Sequence, residues 1–309
     1  MSRRGSVWMA IGVAAACMGA VAIASAQQPA KKPAAKPPQD KTQLPDLSAA
    51  EQQAIDAAVP AAARAKPSKP RRILVFWRCE GFFHGSGIAG GNRSMEKMGA
   101  KTGAFTADFS IDYSVFDASN LAKYDAVVLN NTTQLAIPDD AKKQALLDFV
   151  RGGKGIVGIH AATDNFYKWP EAAAMMGGLF AGHPWGGGGT WAVKIDEPGH
   201  ALNRAFGGKG YKLKDEIYQF KDPYTRADRR VLLSLDLADP DTAKPAEKGG
   251  RADRDYAISW IRSEGKGRVF YCSHGHAANV FADAAVVQHF LDGIQFTIGD
   301  LEADATPKR

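Results

Sequence analysis

The chain has 309 residues, 45% of them hydrophobic and 23% charged, with 32 glycines, 16 prolines and 3 cysteines. That composition excludes a wholly disordered chain, a collagen-like repeat and a disulfide scaffold. The formal net charge is +6, but Arg3 and Arg4 supply two positive charges, and residues 27–70 carry seven Lys and Arg against four Asp and Glu, which leaves about +1 for the rest. A nucleic-acid binder carries its basic excess on the folded domain, so no nucleic-acid partner is expected.

Arg3 and Arg4 precede an apolar run from Val7 to Ile23, and Ala24-Ser25-Ala26 follows. A basic start, an apolar run and a small-residue cleavage site read as a secretory signal peptide over 1–26. The expected location is therefore across the inner membrane, in the periplasm, and no later stretch is long and apolar enough to span a bilayer. Residues 27–70, rich in Ala, Pro, Lys and Gln, read as a solvated linker. Within it, 47–63 predicts one short helix with little to bury, since Ser48 and Glu51 have capping-box spacing. Cys79 and Cys272 are the two cysteines beyond the signal, and they are read as separate buried thiols rather than a pair.

Residues 71–300 read as one α/β domain, and 301–309 as a tail. Apolar runs at 72–78, 125–130 and 155–160 predict buried strands, with further strands at 230–235, 256–261 and 267–272. Between the second and third strands, 138–151 begins with Pro and two Asp, keeps Leu146, Leu147 and Val150 on one face, and ends before Gly152-Gly153, which predicts an amphipathic helix. Residues 283–298 predict a closing helix with Val286, Val287, Phe290, Leu291 and Ile294 inward. Strand, helix and strand with fully apolar strands imply a mostly parallel sheet with right-handed crossovers.

Ligands of open α/β sheets bind beyond the carboxyl ends of the strands. The first strand is followed by Arg78 to His84, the second by Asn130 to Thr133, the third by His160 to Asp164 and a late one by Ser273 to His276. Four of the seven histidines, His84, His160, His274 and His276, thus fall on one edge, and such convergence points to a functional cluster. In GIVGIHAATD the strand runs into small residues, as a tight strand–turn elbow requires. Its apex is His160, a candidate base, proton donor or metal ligand, with Asp164 placed to orient the ring or act as a second base. The segment Phe180 to Trp185 brings His183, and the glycines 186–189 between Trp185 and Trp191 read as a lid with aromatic walls. Glu216, beside Asp215 and Tyr218, is a further acid/base candidate.

FWRCEGFFH, LNNTT, GGKGIVGIHAATD, FAGHPW, KDEIYQF and VFYCSHGH, in this order, resemble the trehalose-utilisation (ThuA-like) family, from about Ile73 to Gly299. The resemblance implies the class I glutamine amidotransferase-like fold, a flavodoxin-like sheet with helices on both faces. The amidotransferase cysteine would fall where this chain has His160, and the His-x-Glu of those enzymes falls at His274-Gly275-His276, so no glutaminase activity is expected. The family is linked to catabolism of trehalose and related sugars, in which a partner sugar dehydrogenase oxidises a hydroxyl to a 3-keto group. The implied activity is acid/base cleavage of that keto-glycoside. His160 with Asp164 is the candidate base, His183 or Glu216 the acid, and His274 and His276 stabilise the enolate. His84, Asn131, Thr132, Trp185 and Tyr218 are candidate sugar contacts. His160, His183, His274 and His276 are also candidate ligands for a divalent metal such as zinc, though without HExxH spacing. A non-catalytic carbohydrate-binding module would keep the aromatic walls without needing His160, and a cysteine hydrolase would use Cys79 or Cys272.

Overall fold

The computed structural model describes residues 39–248 and 250–308. The expected signal peptide over 1–26 lies outside them, as does the start of the linker. Among the described residues, no helix is long and apolar enough to cross a membrane. In chain order the elements are α1 (Ala49–Ala58), β1 (Arg72–Phe76), α2 (Gly85–Thr102), β2 (Thr106–Ser110), α3 (Ala118–Leu121), β3 (Ala126–Asn130), α4 (Asp140–Arg151), β4 (Gly155–Ile159), α5 (Pro170–Met176), β5 (Leu179–Phe180), β6 (Thr190–Ile195), β7 (Tyr211–Lys214), β8 (Phe220–Lys221), β9 (Arg230–Leu235), α6 (Pro240–Glu247), β10 (Ala257–Glu264), β11 (Gly267–Cys272) and α7 (Ala284–Thr297).

Nine strands form one sheet in the order β2-β1-β3-β4-β11-β10-β9-β6-β7. The first five run parallel and the remaining pairings are antiparallel. The parallel part has the 2-1-3-4-5 strand order of a flavodoxin-like fold, whose switch point lies between β1 and β3. Each parallel strand feeds both cores, because side chains alternate across a sheet. Ile73, Val75, Val128, Ile159 and Phe270 pack with residues of α1, α2 and α7 on one face, while Leu74, Phe76, Leu129, Ile156 and Val269 pack with residues of α3, α4 and α5 on the other. The predicted strands and the helices at 138–151 and 283–298 are all present to within a few residues.

Helix α2 has no counterpart in the sequence reading. Five glycines give it poor intrinsic propensity, yet two of them explain its position. A Cβ on Gly91 would stand 2.7 Å from the Asn130 side chain, and one on Gly87 would stand 2.5 Å from the Gly275 carbonyl. The glycines let α2 lie close against the carboxyl edge of the sheet, with His84 at its N-cap.

The stretch read as a solvated linker is part of the domain from Asp40 on. The capping box of Ser48 and Glu51 forms, but the helix it starts is not idle. Ile55 is fully buried, and Arg93 makes two bonds of 2.8 and 2.7 Å to Asp56. Arg64 binds Asp292 of α7 at 2.9 Å, and Ser68 and Arg71 bind Asp300. The expected tail also packs: Leu301 is buried, and Asp304 binds Arg230 at 2.8 Å. Composition missed this because Pro- and Lys-rich segments can still bury one apolar residue per turn. We expect Ile55→Ala to lose about 2–5 kcal/mol, and a chain starting at residue 71 to melt well below one starting at residue 39. Equal melting temperatures for the two chains would show that the segment is a linker after all.

Candidate active site

The five parallel strands end at one edge, and three of them deliver histidines there. His84 follows β1, His160 follows β4, and His274 and His276 follow β11. His160 sits at the predicted elbow with φ +47°, a left-handed conformation rare for a non-glycine residue. Its Nδ1 lies 2.7 Å from the Ser273 carbonyl. A carbonyl only accepts, so Nδ1 carries the proton and Nε2 keeps its lone pair. Asp164 does not orient this ring as expected. Its carboxylate accepts from the Tyr167 hydroxyl instead, because the turn after His160 carries it away from the ring. Burial pushes the Asp164 carboxyl up, and the Tyr167 bond only partly opposes this.

Glu216, Tyr218 and His183 arrive from a second layer. Ala181 N donates to the Gln219 carbonyl, Gln219 N to Gly182 and Ile217 N to Trp185, each at 2.9 Å, so 181–185 and 217–219 form a short antiparallel ladder. This ladder holds His183 Nδ1 3.3 Å from Glu216 Oε2. Tyr218 N donates to Ser273 Oγ at 3.1 Å, hooking the ladder to the end of β11. Glu216 Oε1 lies 3.6 Å from His160 Nε2 and 3.3 Å from His276 Nδ1, and these two ring nitrogens are 3.3 Å apart. The Tyr218 ring lies 4.4 Å from that of His160, and its hydroxyl is 3.4 Å from His84 Nε2.

The charges respond to this crowding. Burial, then repulsion from His160 and His276, pushes His84 down to about 2, so it stays neutral. Burial alone would raise the Glu216 carboxyl, but the imidazoles of His160 and His276 beside it outweigh that and hold it well below the carboxylate range. Burial alone would lower His276, but the contact with Glu216 raises it.

One ligand atom from each of His84, His160, Glu216 and His276 lies within 4.8 Å of the others. Zinc with bonds of about 2.0–2.1 Å in tetrahedral geometry places its ligand atoms about 3.3 Å apart, close to the three separations just given. The Nδ1 of His84 is buried without a partner, as an uncoordinated ligand nitrogen would be. The set therefore fits a divalent transition metal. It differs from the expected set, because His84 and Glu216 belong to it, His183 stands outside it and His274 is turned away.

Several expected site residues do structural work instead. His274 is buried behind the cluster, with Nδ1 2.9 Å from Asp215 Oδ2 and Nε2 2.8 Å from the Tyr211 hydroxyl. Asn131 is fully buried and donates to the Gly275 carbonyl at 3.1 Å. Thr132 is fully buried and accepts from Asn165 at 2.9 Å. Trp185 is no lid wall: it lies in the core, donating to the Thr242 carbonyl and packing on Tyr256. Trp191 is half-buried and tied to the Gly186 and Asp215 carbonyls. The glycine run does reach the cluster, since a Cβ on Gly187 would stand 3.1 Å from the His276 ring. The aromatic surroundings come from residues the sequence reading did not single out. Phe180 lies 4.3 Å from Tyr218, and the exposed Phe82 leans edge-on against His84 at 4.7 Å. FWRCEGFFH and FAGHPW held that signal. Cys79 and Cys272 are free and buried. Burial pushes both thiols up, Cys272 to about 12, which argues against a thiolate nucleophile.

Asp215 holds the geometry together. Its two oxygens accept from His274 Nδ1 and from the backbone amides of Glu216, Gly275 and His276, at 2.9 to 3.2 Å. An amide at this position would turn a donor toward donors. Asp215→Asn should lose about 2–4 kcal/mol in denaturant unfolding, while Asp164→Asn, which can still accept from Tyr167, should lose less than about 1 kcal/mol. Equal losses would remove Asp215 from this role.

A search of curated proteins finds no match to this chain. Among solved structures, a protein described as ThuA-like from Bacteroides uniformis ATCC 8492 superposes with a TM-score of 0.61 at 23% identity, over 76% of this chain and 94% of that one. A second, from Parabacteroides merdae ATCC 43184, gives 0.57 at 18% identity over 78% and 93%. At these identities the likeness concerns the fold. The sequence profile of the ThuA family, described as trehalose utilisation, matches residues 72–297, from the first strand to the last helix, and the chain belongs to that family.

Proposed function

We propose that this protein cleaves a 3-keto-glycoside, derived from trehalose or a related sugar, by elimination and hydration. The observation that supports this reading most directly is the meeting of His84, His160, Glu216 and His276 within 4.8 Å, with His183 and Tyr218 beside them. A ketone at C3 acidifies the C2 proton. Removal of that proton gives an enolate, and collapse of the enolate expels the C1 oxygen. Water then adds to the enone, so the net reaction is hydrolysis.

His183 is the proton-moving group. It is half exposed, its ring stacks on Phe180 at 5.8 Å, and Glu216 Oε2 accepts from its Nδ1. Its Nε2 is then free to take the C2 proton and to return it to the departing oxygen. The Tyr218 hydroxyl donates a hydrogen bond to the oxygen that gains charge. His84, His160, Glu216 and His276 would hold a divalent metal, which would supply Lewis-acid stabilisation of the enolate. Glu216 thereby serves two groups, one with each oxygen. With residues 1–26 read as a secretion signal, the reaction belongs in the periplasm, and a sugar dehydrogenase supplies the keto-sugar.

With 3-keto-trehalose as substrate, His160→Ala and His183→Gln should each lower kcat by about 10²–10⁴-fold, with unchanged melting temperature for His183→Gln. Turnover equal to that of the unaltered protein in both variants would refute the assignment, and so would survival of sugar binding as the only function that can be measured.

A further inference from the structure

We infer that the cavity between the loop after β3 and the loop after β4 is a second sugar subsite, which takes the ring that leaves. The inference rests on the glycoside-cleaving reading above. The cavity has a volume of about 590 Å³ and is lined by Gln134, Ile137, Phe166, Tyr167, Lys168 and Trp169, among others. That volume is in the range of small-molecule pockets.

Its lining suits a pyranose ring, which presents C–H faces and hydroxyl edges. Tyr167 and Trp169 offer aromatic surface, and the Gln134 amide and Lys168 ammonium offer polar contacts. Tyr167 is 41% exposed, one of three large hydrophobic residues in that state among the described residues. Phe166 buttresses Trp169 edge-to-face at 5.4 Å. The backbone adds a second observation. Among the described residues, four of the five non-glycine residues with positive φ, Asn131, Gln134, His160 and Phe166, lie in the two loops that start here. Gln134 and Phe166 line the cavity itself, and such conformations persist where the surroundings hold them, often at ligand clamps.

Hydrogen bonds and ring packing of its lining residues connect the cavity to the loops that carry the histidine cluster. Gln134 N donates to the Asp164 carbonyl at 2.7 Å, and Leu135 N to Asn165 Oδ1 at 2.9 Å, which ties the two loops together. The Gln134 side chain fills the space over Gly81, where a Cβ would stand 2.8 Å from it, and this is the loop that carries His84. On the other side the Tyr167 hydroxyl reaches the Phe180 carbonyl at 3.5 Å, and the Phe180 ring packs on Tyr218. A disaccharide with its keto ring at the cluster would place its second ring across this wall. Lys221 Nζ lies over the Tyr167 ring at 5.2 Å and steadies it.

Titration of the full protein with trehalose and with glucose tests this without turnover. Trehalose should bind at least tenfold more tightly than glucose, and Trp169→Ala should bring that ratio close to one. Tyr167→Leu, at an exposed position, carries the same expectation if the Trp169 variant does not fold. A ratio unchanged within twofold in the variant, or no preference for trehalose in the unaltered protein, overturns the subsite. Turnover of the keto-sugar tests the other reading separately. Turnover with no response to these variants leaves the reaction and removes the subsite, and a responsive ratio without turnover does the reverse.

Discussion

The hydrogen bond from His160 Nδ1 to the Ser273 carbonyl ties the ends of two neighbouring parallel strands, β4 and β11. It depends on the left-handed backbone at His160, which turns the imidazole across the sheet edge rather than along the strand direction. The Tyr271 hydroxyl donates to the His160 carbonyl at 2.7 Å and fixes the same peptide from below. With Nδ1 committed, Nε2 must face Glu216 and His276. Without that bond the ring could flip, and the nitrogen that meets the other members of the cluster would no longer be determined.

The rest of the site is arranged around this ring by carboxylates. Asp215 organises the turn that presents His276 and stays out of the cluster itself. Its neighbour Glu216 enters the cluster and faces histidines on two sides, with His183 at one oxygen and His160 and His276 at the other. Adjacent residues of like charge thus have different tasks, Asp215 binding backbone amides and His274 while Glu216 meets the imidazoles of the cluster. An anion among three imidazoles is the arrangement a divalent cation needs.

How much of this was legible in the sequence follows from the kind of signal involved. The parallel strands are continuous apolar runs, and α4 and α7 have clean punctuation, so all were readable. Strand β2, with the sequence TADFS, lies at the sheet edge and is only partly buried, so it lacks the apolar run that marks a central strand. Helix α2 was hidden by glycines whose purpose is close packing against residues far away in the chain. The rule that chemistry gathers beyond strand ends located His84, His160 and His276 correctly on one edge. It could not tell His276 from His274, which lie two residues apart. The positive φ of Gly275 and the pull of Asp215 decide which ring faces out. Trp185 misled for a related reason: a tryptophan beside a glycine run looks exposed, and only the tertiary ladder with Ile217 shows that it points inward.

Chain-distant groups act together as one centre for a cation and a sugar in the proposed reaction. The most direct measurement is anomalous diffraction at the zinc edge from crystals grown with zinc and no affinity tag. One strong peak is expected within about 2.0–2.2 Å of ligand atoms from His84, His160, Glu216 and His276. A zinc ion bound by other residues, with this cluster empty at saturating metal, would contradict the account.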